Sequence, residues 1–220
     1  PHPTPMGVSG KPEIAGADGK SILPLQGYGI TLMSMGFLVA ADEAVIWRGP
    51  MLMGALQQFI GQVEWGELDI LLIDLPPGTG DVQLTLAQKC ELDGAIIVST
   101  PQDVALIDAR KAMQMFYKLN VPILGMVENM SFFLCPDNNK RYDIFGNGGA
   151  KRTAKELDIP FLGEVPMQIP IREHGDAGKT VANFDDAQTR PYLESICEKL
   201  VSGLARRNAS APPMPSLPTL

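Results

Sequence analysis

The sequence predicts an α/β fold with a mostly parallel sheet and helices on both of its faces. Three observations predict it. Apolar runs of strand length alternate with segments of helical periodicity along most of the chain. The runs are nearly continuous rather than alternating, as expected of strands covered on both sides. The composition, 45% hydrophobic and 20% charged over 220 residues, is that of an ordinary globular domain with enough chain to bury one core.

Taken in order, residues 16–20 (GADGK) lie between short apolar segments and read as a hairpin turn, because Asp-Gly supplies the positive φ angles such turns need. The run 29–40 (GITLMSMGFLVA) reads as a buried strand. Gly49-Pro50 opens a helical pattern, with Met51, Leu52, Ala55, Leu56, Phe59, Ile60 and Val63 at spacings of three and four. The clearest buried strand is 69–75 (DILLIDL), which ends abruptly in Pro76-Pro77-Gly78-Thr79-Gly80-Asp81. Further strands are expected at 94–100, 122–128 and 160–165, and helices at 104–119, 148–157 and 190–205. The tail 207–220 (RNASAPPMPSLPTL) is rich in Pro and Ser and is expected to be disordered, leaving 1–206 as one domain. No internal repeat is visible.

Charge and cysteine usage narrow the function classes. A net charge of −7, with the 18 basic residues scattered, argues against a nucleic-acid surface. Cys90, Cys135 and Cys197 are odd in number, widely spaced and form no CxxC pair, which fits a reducing, cytoplasmic setting rather than a disulfide framework. Cys90 and Cys197 have the spacing of buried helix residues. The chain opens Pro1-His2-Pro3 with no initiator Met, basic region or apolar core of a signal peptide, so a preceding segment is expected instead. The uncharged stretch 21–41 has only a short dense apolar part. Spanning a bilayer takes roughly 20 predominantly apolar residues, so no membrane insertion is expected.

In an open α/β sheet, ligands bind at the carboxyl ends of the strands, so the chemistry is sought directly after each apolar run. Asp74 closes the run 69–75 and would place a carboxylate on that edge, able to hold Mg²⁺ directly or through water. The glycines that follow expose backbone N–H groups suited to a terminal phosphate. A strand-ending Asp capping a Pro-Gly turn is the plainer reading, but two prolines and two glycines specify this loop more tightly than a cap requires. The arrangement is that of the Walker B and switch II segments of nucleotide hydrolases.

The string LLIDLPPGTGDVQLTLAQ at 71–88 resembles the signature of the Mrp family, within the MinD/ParA-like P-loop ATPases. The resemblance extends in order through SMGFLV (34–39), VIWRGPM (45–51), VENMSFF (127–133), YDIFGNGGA (142–150) and FLGEVPM (161–167). It implies a MinD-like P-loop NTPase fold, and a homodimer that binds ATP and Mg²⁺ and carries a [4Fe–4S] cluster to client apoproteins. By the same resemblance Asp74 belongs to the magnesium shell, and Gly78, flanked by Pro77 and Thr79, senses the γ-phosphate. Asn129 would recognise the adenine edge, since its amide offers both a donor and an acceptor, with Pro166 along the same base. Taken alone, Asn129 is as readily a turn cap.

The family's P-loop, K-G-G-V-G-K-[ST], does not occur in these 220 residues. Two look-alikes, Gly16 to Ser21 and Gly175 to Thr180, end in G-K-[ST], but their first glycine stands two residues too close. Neither is expected to follow a buried strand into a helix, so neither can surround a β-phosphate with N–H groups. The domain is therefore expected to be N-terminally incomplete. The family often carries C-P-x-C after the NMS segment, whereas here the string is Cys135-Pro136-Asp137-Asn138. One thiolate per subunit gives two in a dimer, where a standard cluster takes four, so Cys135 either binds a cluster with other ligands or marks a loop that kept only the shape of the site. Two other readings stand beside the carrier: a positioning ATPase of the ParA or MinD kind without a cluster, and a truncated fragment that binds nothing productively.

Overall fold

The computed structural model describes residues 4–16, 19–38, 49–76 and 80–210. Its organising element is a sheet in which β6 (Ile123–Leu134) is flanked by β5 (Ala95–Ser99) and β8 (Phe161–Met167), both parallel to it, while the short β7 (Arg141–Tyr142) pairs antiparallel with its last residues. The crossovers are helices α3 (Asp103–Lys118), between β5 and β6, and α4 (Gly149–Glu156), between β7 and β8. The fold is thus α/β, with a mixed sheet and six helices among the described residues, and the alternation of apolar runs with helical segments predicted α1, α3, α4, α6, β5 and β8 and the start of β6.

The core lies where α3 and α4 meet the sheet. Leu106, Met113 and Phe116 of α3, Ile97 of β5, Met126 of β6, and Ala150 and Ala154 of α4 form one buried cluster. Their i, i+3, i+4 spacing on α3 is what placed that helix in the sequence. The small residues of α4 allow a close approach, and Arg110 Nη2 of α3 donates to Thr153 Oγ1 at 3.1 Å to tie the two helices together. The closing helix α6 (Arg190–Ser210) packs against β8 and β6. A Cβ at Gly163 would stand 2.7 Å from Ile196, so the contact requires glycine there. Lys199 Nζ donates to the Leu162 carbonyl at 3.0 Å, and Tyr192 meets Phe132 edge-on at 5.7 Å between centroids.

The N-terminal part is built of two small hairpins. β1 (Glu13–Ala15) pairs with β2 (Ser21–Leu23) across the predicted turn. β3 (Leu25–Gly27) pairs with β4 (Ile30–Leu32) through Tyr28 and Gly29, whose φ angles of +53° and +74° are those a two-residue hairpin loop demands. The predicted buried strand 29–40 is therefore corrected: β4 stops at Leu32, and Met35–Phe37 form a 3-10 turn. Ser34 accounts for the break, since its Oγ accepts the Gly36 N–H at 3.1 Å and offers the backbone a local partner in place of a ladder. Helix α1 (Gly49–Gly61) starts where its Gly-Pro predicts, and the backbone after it bridges to Ile22.

The larger correction concerns 69–75. The structure gives these residues neither strand nor helix, and no described residue pairs with them in a ladder. Ile70, Leu71 and Leu72 are exposed, Leu72 by 78%. An apolar run becomes a buried strand only when neighbours take its N–H and C=O groups and cover its side chains. Only its end is anchored: Leu75 packs against the core cluster, and Gln83 Nε2 of the buried Gln83 donates to the Pro76 carbonyl at 2.7 Å. Gln83 belongs to α2 (Asp81–Lys89), a helix the sequence reading passed over, with Asp81 at its positive end and Leu86 buried. On the other side, β5 pairs with β6 alone, and its Val98 is 60% exposed.

The β6–β7 hairpin is braced from one residue. The Arg141 guanidinium lies 3.9 Å above the Phe132 ring, and it donates to Asp143 Oδ1 at 2.8 Å and Glu164 Oε2 at 3.3 Å. Hydrogen bonds from Asn147 and then Arg141 hold the Asp143 carboxyl below the usual carboxylate range.

Two outcomes follow from this architecture. Exposed apolar residues at 70–72 and a strand edge at β5 predict that the 220-residue chain self-associates and binds a hydrophobic dye, and that Leu72→Lys reduces both. Monomeric, dye-free, cooperatively melting wild-type material would contradict this. Arg141→Ala should destabilise by about 1 kcal/mol through loss of the ring contact and partly exposed ion pairs, read as a lowered melting temperature, and Arg141→Lys should not restore the fork. Because the folded-state pKa of Asp143 is lowered, its contribution is complete at neutral pH and disappears as acidification carries the pH down through that value. The gap between wild type and Arg141→Ala should narrow accordingly.

Candidate functional site

The carboxyl edge of the sheet gathers three of the residues singled out in the sequence. Asn129 of β6 stands in register with Val165 of β8, so that Pro166, buried and next along β8, is its neighbour across the two strands. Proline is tolerated there because β8 pairs with β6 only, and its other edge needs no donor. Asn129 is half-buried, and its Oδ1 accepts the N–H of Met130 at 3.0 Å. That bond takes one lone pair of the oxygen, and no described hydrogen bond engages the amide nitrogen.

Directly after Asn129 the strand is irregular. Met130 has φ +51°, a left-handed value unusual for a residue with a side chain. Between Asn129 and Phe133 four steps of β6 face two of β8, from Val165 to Met167. This bulge re-aims the strand, as bulges beside functional sites often do. Beside it lies a residue that the sequence reading counted only as a strand end. Glu128 is fully buried; its Oε1 accepts from Ser131 Oγ at 2.6 Å and its Oε2 from the Ala150 N–H at 2.7 Å. Its signal was available, since an ionisable residue ending an apolar run must find partners when buried.

Cys135 follows the last residue of β6 and opens the turn to β7. It is half-buried, a free thiol, and its N–H donates to the Lys140 carbonyl at 3.0 Å while its carbonyl accepts from Asn139 N–H at 2.8 Å. Asn138, at the position where the family often has a second cysteine, serves the turn itself. Its Oδ1 accepts the Lys140 N–H at 2.9 Å and its Nδ2 donates to Tyr142 Oη at 3.3 Å. Among the described residues no group of three or more His, Cys, Asp and Glu side chains is placed to hold a metal ion. Cys197, expected to be buried, is exposed on α6, and Cys90 is half-buried at the end of α2.

Asp74 is exposed and stands outside the sheet ladder, at the end of the unpaired run. Pro77, Gly78 and Thr79 lie outside the described residues. Both G-K-[ST] look-alikes are placed where no phosphate cradle forms. Gly16 and Lys20 flank the β1–β2 turn. The second follows α5 (Ile169–Asp176) instead of leading a strand into a helix. Its Gly178 has φ +70° and packs on Gly7, where a Cβ would come within 2.6 Å of the Gly7 Cα, and Thr180 Oγ1 donates to the Pro5 carbonyl. These groups serve to dock the N-terminal residues. No described helix is long and apolar enough to cross a membrane.

Comparison with known proteins agrees with this geometry. The family profile of the ParA group described as NUBPL iron-transfer P-loop NTPase matches residues 2–201. An iron-sulfur cluster transfer protein NUBPL of Dictyostelium discoideum is 54% identical over 185 residues, covering 83% of this chain and 57% of that protein. An iron-sulfur cluster carrier protein of Synechocystis is 45% identical over 218 residues, covering 98% of this chain and 60% of its own length. The chain thus spans about three fifths of the length of these relatives. Among solved structures, a nucleotide-binding protein of Archaeoglobus fulgidus in complex with ADP superposes with a TM-score of 0.68 at 36% identity, over 81% of this chain and 69% of that one. The family match over residues 2–201 and these identities show that the chain belongs to the NUBPL-type iron-transfer P-loop NTPases.

Proposed function

We propose that the chain is the larger part of a nucleotide-dependent carrier that takes up an iron–sulfur cluster and passes it to apoproteins. The observation that supports this is the single strand β6, which carries Asn129 at the carboxyl edge of the parallel pairing and leads six residues later into the turn opened by Cys135. The names of relatives at 45% and 54% identity, and the ADP in the A. fulgidus protein, support the same reading.

In this reading Asn129 presents its amide nitrogen to adenine, with Pro166 against the base. Pro77, Gly78 and Thr79 offer backbone to the terminal phosphate, and Gly78 reports its presence. Asp74 holds Mg²⁺. A lone exposed carboxylate suits that ion, which takes the rest of its shell from phosphate oxygens and water and polarises the phosphate when bound. The cluster is cargo. One chain does not supply a full ligand set, since among the described residues no three His, Cys, Asp or Glu side chains gather around a metal position and Asn138 is engaged within the turn. We therefore assign cluster binding to a homodimer in which each subunit contributes Cys135, with non-cysteine or external ligands completing the shell. ATP binding closes the dimer, and hydrolysis opens it and releases cargo. The free thiols support a reducing, cytoplasmic setting. The acidic chain has no call for nucleic acid.

Anaerobic reconstitution with iron and sulfide tests the assignment. Wild-type chain should retain iron with thiolate-to-iron absorption, Cys135→Ser should lose most of both, and Cys197→Ser on the exposed face of α6 should lose neither. Equal iron in wild type and Cys135→Ser, or none in either, would contradict the carrier reading.

A further inference from the structure

Glu128 lies where three pieces of the site meet. Through Oε1 it holds Ser131, inside the bulge that follows Asn129, and through Oε2 it holds Ala150, in the first turn of α4. All three residues are fully buried. The α4 end is itself fixed against the loop after β5, because a Cβ on Gly149 would come within 2.3 Å of the Pro101 carbonyl oxygen. The bulge is the least self-sufficient part of β6. Met130 has a left-handed backbone, its side chain is exposed, and such a conformation persists only where the surroundings over-determine it. Past the bulge the ladder resumes at Phe133, paired with Met167 and Tyr142 at once, and Cys135 follows two residues later.

We propose that Glu128 is a positioning residue, a buried two-pronged clamp that fixes the Met130–Ser131 bulge to α4 and thereby sets where both the Asn129 amide and the Cys135 hairpin stand. Its relevance to cargo rests on the carrier reading above; the clamp itself does not. Apolar packing of Met126 on Ala150 also joins β6 to α4, but among the described residues no other hydrogen bond spans from β6 beside Asn129 to the α4 turn: Asn129 Oδ1 reaches only Met130, and Arg141 braces the hairpin from the far side of Phe132. Truncating Glu128 strands the Ser131 hydroxyl and the Ala150 N–H together in a buried site, so the bulge opens to regain water. A glutamine can take both places, its oxygen accepting from Ala150 N–H and its amide nitrogen donating to Ser131 Oγ.

The test is the rate at which iodoacetamide alkylates Cys135, followed by mass spectrometry on the iron-free chain, with half-buried Cys90 as the internal monitor of general loosening. Glu128→Ala should raise the Cys135 rate about tenfold, as expected for loss of a buried hydrogen-bond partner. Ser131→Ala should raise it less, Glu128→Gln should stay near wild type, and Cys90 should not change. If Glu128→Ala unfolds the chain and Cys90 accelerates too, Ser131→Ala decides. An unchanged Cys135 rate in Ser131→Ala, or a Glu128→Gln as fast as Glu128→Ala, overturns the clamp. Iron retention separates the two readings. Altered alkylation with no iron retained by any variant, wild type included, removes the carrier reading and leaves the clamp, whereas iron retained with unaltered alkylation does the reverse.

Discussion

The carboxyl edge of this sheet depends on β6 being paired along both edges at once. β5 and β8 run parallel to it on either side, and β7 takes over at its end. Pairing on both edges satisfies its backbone groups without water, which allows its middle to be fully buried and lets an ionisable residue, Glu128, sit there with both carboxyl oxygens engaged. Helices α3 and α4 cover the same strand with Met113, Ala150 and Ala154. Asn129, Glu128 and Cys135 all stand on or directly after that one element, and Pro166 lies on the strand paired with it.

The same strand leads into a turn whose shape is fixed by its own hydrogen bonds. Asn138 stands where a second cysteine is often found, and its two hydrogen bonds close the turn that Cys135 opens. With Asn139 at φ +54° the loop is a specified structure in its own right. Arg141 adds a planar contact to Phe132 and two carboxylate partners from different elements, so the hairpin is fastened to β8 through Glu164. The Cys135 thiol thus sits on a braced turn.

How much was legible follows from which properties are local. Helix α3 and strands β5 and β8 could be read because their burial repeats at a period the sequence displays, and Gly49-Pro50 marked the start of α1. The strand expected at 69–75 could not be judged that way. Its residues are as apolar as those of β6, but a strand is a property of a pair, and no described residue pairs with it. Ser34 ended the run 29–40 by a local hydrogen bond that hydrophobicity does not encode. Helix α2 was hidden behind the motif preceding it, although Asp81 and the buried Leu86 signal it. At the site, Asn129 and Pro166 were singled out by resemblance and stand on paired strands, while Glu128 was overlooked because the last residue of an apolar run looks like a boundary. Asp74 was identified by its place after such a run, and its exposure follows from that run's lack of partners.

The account stands on β6 acting as one continuous, doubly paired element across its bulge, and amide hydrogen exchange on the intact chain tests this most directly. Residues 126–129 and 132–134 should be among the slowest amides, protected together, while 69–73 exchange at rates near those of open chain. Protection that stops at Met130, with 132–134 exchanging as fast as 69–73, would contradict it, because Asn129 and Cys135 would then sit on separately moving pieces.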